Sequence, residues 1–141
     1  MKLVVGALTA AAAITGAAPA LAYTNAMTTT AVNMRTGPDV AYPPVIILPP
    51  NAPIVVYGCI DGWSWCDASW GPNRGWVAGA YLAAYWQNRP TPWAYAAPRY
   101  NVPVVAFQFG PYWDSYYRGR GWYRQRGYWN RWDYRNRRWH R

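Results

Sequence analysis

The chain has 141 residues and a formal charge of +9, enough for one modest domain with extensions and too few for two ordinary ones. Thirteen Arg and one Lys stand against five Asp and no Glu, and the sole histidine is His140, second from the end. With no internal His to serve as a general base and no His/Cys/Glu cluster to hold a metal, no enzyme, cofactor or metal site is expected.

Residues 1–22 read as a secretory signal. Lys2 supplies the positive start, residues 3–14 the short apolar run, and Gly16 and Pro19 break it before Ala20-Leu21-Ala22, where small residues set the cut after Ala22. A membrane span would need about 20 uninterrupted apolar residues. The mature protein is therefore expected in the periplasm or outside the cell, in an oxidising compartment.

Residues 23–84 carry two Arg and three Asp and hold short apolar runs between turn signals. The runs at 26–34, 45–48, 54–60, 63–69 and 75–77 are separated by Thr36-Gly37-Pro38-Asp39, Pro49-Pro50-Asn51, Asp61-Gly62 and Gly71-Pro72-Asn73. No helical period is present, so the fold expected is all-β, a small five-stranded barrel. About sixty residues bury little surface, and such a domain is marginal unless stapled.

The staple is Cys59 with Cys66. A two-residue hairpin at Asp61-Gly62 would leave them on a diagonal, roughly 7–8 Å apart and too far to bond. A four-residue loop from Asp61 to Ser64 places them directly opposite, so the disulfide predicts the longer loop.

Residues 85–109 form a Pro-punctuated linker, with Pro90, Pro92, Pro98 and Pro103 removing backbone donors and 101–109 able to make one edge strand. Residues 110–141 hold nine Arg, five Trp and six Tyr against two Asp, with no aliphatic residue. Such a low-complexity segment cannot build an aliphatic core, and disorder, or folding only on a partner, is expected.

The run Val32-Asn33-Met34-Arg35-Thr36-Gly37-Pro38 resembles the opening motif of the bacterial SH3 (SH3b) family. Its other motifs follow in order: Tyr42-Pro43, Ile47-Leu48-Pro49, Gly62-Trp63, Trp65-Cys66, Arg74-Gly75-Trp76-Val77 and Tyr81-Leu82. Where the family usually places Gly in the turn after Leu48, this chain has Asn51, which tolerates the left-handed conformation such a turn needs. The layout looks like small exported SH3-domain proteins of alphaproteobacteria. The resemblance implies an SH3-like barrel and binding to cell-wall peptides, with peptidoglycan or another envelope polymer as ligand.

Two surfaces are candidates. An aromatic groove walled by Tyr42, Trp63, Trp70 and Tyr81, with Arg35 for a carboxylate, would suit a peptide or glycan, whereas Trp76 is expected in the core. In the tail, Arg118, Arg120, Arg124, Arg126, Arg131, Arg135, Arg137 and Arg138 interleave with rings, which suits anionic lipid headgroups. The same mixture suits single-stranded nucleic acid, but export removes the intracellular pool. Asp61 and Asp67 lack the facing geometry that a glycosidase requires. The function expected is a non-enzymatic envelope-binding module. The rival is an interaction protein that recruits a periplasmic protein partner, its tail folding on binding.

Overall fold

A computed structural model describes residues 23–137, with positions 2, 3, 6, 7 and 9–11 ahead of them. Most of the expected signal segment, its cleavage site at Ala20-Leu21-Ala22, and Arg138 lie outside the described residues.

One antiparallel sheet organises the chain. Its strands are β1 (Thr24–Thr28), β2 (Val32–Arg35), β3 (Pro44–Leu48), β4 (Pro53–Cys59), β5 (Trp65–Trp70), β6 (Asn73–Ala78), β7 (Leu82–Trp86) and β8 (Arg89–Pro92), in the order β3-β2-β6-β5-β4-β1-β7-β8. Eight strands replace the five expected, for two local reasons. The stretch 26–34 is split by the bend at 29–31, so β1 joins β4 and β7 while β2 joins β3 and β6. Across the end of the expected domain, β7 and β8 form a hairpin whose turn residues Gln87 and Asn88 both take positive φ, 51° and 62°. That backbone matches the twist of tight hairpins, but Gln-Asn signals it more weakly than Asn-Gly. Pro90 and Pro92 are tolerated because β8 is the sheet edge, where no further strand needs their missing donors.

The sheet curls so that residues from distant strands share one core: Met34, Leu48, Ile54, Val56, Val77 and Leu82 are all nearly inaccessible within it. Helix α1 (Trp93–Arg99) closes that core with Trp93, Ala96 and Ala97, spaced i, i+3 and i+4 on one helix face, and Val102 follows. The segment expected to be a linker thus completes the inner core. Its expected edge strand at 101–109 reduces to a single parallel bridge between Val104 and Cys59, held by Cys59 N–H to Pro103 O at 2.9 Å and Val105 N–H to Cys59 O at 2.8 Å.

Cys59 and Cys66 face each other across β4 and β5 and form a disulfide, with Cα atoms 4.0 Å apart. The Ile60 N–H bonds to Trp65 O at 2.9 Å and closes the four-residue loop that the pairing required. The Trp93 indole N–H points at Cys66 Sγ, 3.1 Å away, so α1 covers the staple. Asn51 takes φ 58° at the turn into β4.

Residues 109–137 are folded, which corrects, for the described part of the tail, both the expected disorder and the idea that it folds only on a partner. Helix α2 (Phe109–Tyr116), a 3₁₀ turn (Gly121–Gln125) and helix α3 (Arg126–Asn136) pack on the outer face of the sheet. Phe109, Trp113 and Tyr117 recur every four residues and bury one stripe. With Tyr42, Ile60, Trp76 and Phe107 they form a second core built almost entirely of rings. Edge-to-face pairs dominate: Trp76–Phe107 at 5.5 Å, Tyr42–Phe107 at 5.7 Å, Tyr42–Trp132 at 5.0 Å. Rings bury as much area as aliphatic side chains, so the absence of Leu, Ile and Val did not preclude a core. Helices also mean that the protein is not all-β. The repulsion among the arginines is met by the two acids of the tail. Asp114 receives Arg126 through two bonds of 2.7 and 3.0 Å and lies 3.9 Å from Arg118, while Asp133 lies 3.4 Å from Arg137.

Candidate functional site: a groove between β2, β3 and the turn before β7

Arg35 ends β2, and Tyr81 ends the 3₁₀ turn (Gly79–Tyr81) that leads into β7. The structure brings these two expected site residues to one hollow of about 500 Å³, bordered also by Val40, Ile47 and Trp65. Tyr81 is positioned through its carbonyl, which accepts the Thr29 N–H at 2.9 Å and the Thr29 hydroxyl at 3.2 Å. Arg35 donates to the Tyr42 carbonyl at 2.9 Å. The apolar walls are well exposed: Val40 71%, Ile47 66% and Tyr81 48%. Arg35 is the sole charged residue lining the hollow. An extended chain with apolar side groups and one carboxylate matches that pattern of surface and charge.

The other expected walls lie elsewhere. Tyr42 is fully buried, its ring in the outer core and its hydroxyl bonded to Asp133, so it presents no face to the groove. Burial, and then that hydrogen bond, push its phenol well above the ordinary tyrosine value. Gly37 makes room for the ring: a Cβ there would lie 2.6 Å from two of its carbons. Trp63 sits in the loop after β4 with φ 53°, donates to Val102 O at 3.3 Å and packs on the inner core, as does Trp70. Trp65, which is not among the expected walls, lines the groove. Strand alternation was the available signal: if Cys66 faces inward, Trp65 must face out.

The expected cationic surface divides into two groups. Arg120 bonds to Asn73 Oδ1 at 2.8 Å, and Arg126, Arg118 and Arg137 are engaged by Asp114 and Asp133. Hydrogen bonds from Arg126 and Tyr123 hold the Asp114 carboxyl below its usual value. Among the described residues, Arg124, Arg131 and Arg135 are exposed and make no ion pair. Arg131 and Arg135 border a hollow on α3 together with Tyr134 and Arg137.

Asp67, which the sequence reading set aside as a catalytic carboxylate, anchors the tail. It takes two bonds from Arg74, at 2.8 and 2.7 Å, and one from the Tyr112 hydroxyl at 2.7 Å. The Arg74 guanidinium lies over the Tyr57 ring at 3.7 Å, and its carbonyl accepts the Tyr117 hydroxyl at 3.0 Å. Among the described residues no cluster could hold a metal ion, and no helix is long and apolar enough to cross a membrane.

Residues 30–83 match the family model of the bacterial SH3 domain, a class of binding domain that is generally non-catalytic. No curated protein matches the chain. Among solved structures, NlpC2 from Trichomonas vaginalis is similar at 13% identity and a TM-score of 0.41, covering 48% of this chain and 25% of that one. An intramolecular disulfide and a bacterial SH3 domain are compatible with a periplasmic or extracellular location.

Proposed function

We propose that the protein is an exported, non-enzymatic binding module whose groove at Arg35 and Tyr81 takes a carboxylate-bearing peptide of the cell envelope, the peptide of peptidoglycan first. The observation that carries this reading is the exposed apolar groove with Arg35 as its single charge. Arg124, Arg131 and Arg135 add attachment to anionic envelope surfaces, such as acidic lipid headgroups. The two contacts act together as a bivalent grip on one surface.

The test is co-sedimentation of residues 23–141 with purified peptidoglycan sacculi at low and high salt. The Arg35→Gln, Tyr81→Ala double variant should bind at least about tenfold more weakly, equivalent to about 1.4 kcal/mol. The Arg124→Ala, Arg131→Ala, Arg135→Ala variant should lose only the salt-sensitive part of binding. Groove variants that sediment like the parent would overturn the groove as the site.

A further inference from the structure

Another hollow, of about 370 Å³, lies where β1 meets β4 and β7, and it shares no lining residue with the Arg35 groove. Its surface combines rings and amides without charge. Tyr85 on β7 and Tyr100 after α1 are 56% and 41% exposed. Met27 and Pro53, partners in the β1–β4 register, line it as well, together with Asn25 and Asn51.

The Tyr100 ring is held in place before any ligand arrives. The Tyr100 hydroxyl donates to the Tyr85 carbonyl, and the Trp86 ring packs edge-on against Tyr100 at 5.2 Å. Asn51 is fixed by its turn: its backbone N–H bonds to Thr28 O at 2.9 Å, which leaves the side-chain amide as the group able to face a ligand. Asn25 stands two residues before Met27 on β1, hence on the same face.

We propose that this hollow binds a neutral sugar unit. A pyranose has an apolar C–H face and a rim of hydroxyls. Tyrosine rings, that of Tyr100 fixed, match the first, and carboxamides, which both donate and accept, match the second. A charged ligand would find no counter-charge there, and a purely apolar one would strip water from two amides without replacing it. The hollow also falls within the size range of small-ligand sites. The inference stands independently of the Arg35 groove.

The probe is the neutral N-acetylglucosamine tetramer, titrated to millimolar concentration into isotope-labelled residues 23–141 and followed by amide NMR. The side-chain amide signals of Asn25 and Asn51 and the backbone signals of Tyr85 and Tyr100 should shift saturably, and high salt should leave the affinity unchanged. Tyr100→Ala should weaken binding about tenfold. Asn51→Gly keeps the positive φ while removing the amide, so it should weaken binding in a chain that still folds. Tyr81→Ala should bind the tetramer like the parent. Signals that do not move, shifts confined to the Arg35 groove, or parental affinity in both Tyr100→Ala and Asn51→Gly would overturn the proposal.

Discussion

The Tyr42 hydroxyl donates a hydrogen bond to the Asp133 carboxylate, joining the loop after β2 to helix α3 across 91 positions of sequence. Both groups are buried, Tyr42 completely and Asp133 to 2% exposure, so water cannot replace either partner. Tyr42→Phe keeps the ring contacts with Phe107 and Trp132 and removes only the donor. It should cost about 1.5–3 kcal/mol, the range for a hydrogen bond to a charged group. Urea unfolding measures that loss, and limited proteolysis should show faster cutting after Arg131 and Arg135 as α3 loosens.

The aromatic layer makes the tail part of the folding unit. Trp113 is fully buried against Phe109, Tyr117 and Trp122, so Trp113→Ala should destabilise the protein by about 3–5 kcal/mol. Residues 23–84 alone lack Trp93, Ala96, Ala97 and Val102 from the inner core and leave Trp76 uncovered. That fragment should bind a hydrophobic dye and unfold without a cooperative transition, whereas residues 23–141 should show one. A sharp thermal transition in the fragment would contradict this account.

Reduction of Cys59–Cys66 should cost about 2–3 kcal/mol, because the bond closes only a short loop. The comparison is a denaturant midpoint with and without reductant. Cys66→Ser should lose a similar amount.

Two pH limits follow from the ionisations. Asp114 is held below its ordinary value of 3.8 by Arg126 and Tyr123, so its contribution is present in full above that value. The contribution is lost as the pH falls through 3.8 toward the lower folded value, and acid should loosen the α2–α3 link first. At the other end, burial raises the phenols of Tyr42, Tyr112 and Tyr117 above the ordinary 10.0. Their neutral forms stabilise the fold fully below about pH 10, and that stability drains away above it. Absorbance at alkaline pH should show these three silent until the protein unfolds.

The arginines should separate by partner. Arg131→Ala and Arg135→Ala should stay within about 0.5 kcal/mol of the parent, as exposed changes usually do. Arg126→Ala leaves Asp114 without its closest cation and should be the more destabilising. Thermal midpoints of the three variants give the ranking directly.

Local chemistry determined a good part of this protein. Turn residues and short apolar runs marked β3, β4, β5 and β6, and the motif from Val32 to Pro38 lies in the segment that matches the bacterial SH3 family model. The spacing of Cys59 and Cys66 dictated the loop between them, and Asn51 stood where a left-handed turn was needed. Each of these rests on neighbours in sequence, where geometry follows from a few residues. The hairpin at Gln87-Asn88 escaped notice because its turn residues are weak signals. The tail has no aliphatic residue to signal a core, and its helices show only in the four-residue spacing of Phe109, Trp113 and Tyr117.

Which ring faced water and which faced protein could be decided only by tertiary structure. Tyr42 and Trp65 both belong to the aromatic-rich domain, yet folding the tail over the outer face buried Tyr42 completely and left Trp65 half-buried, one side against the outer core and one at the groove. The same docking assigned Arg126 to Asp114 and left Arg131 and Arg135 to solvent. Composition counts rings and charges. Burial and pairing depend on contacts between residues tens of positions apart, which no local pattern encodes.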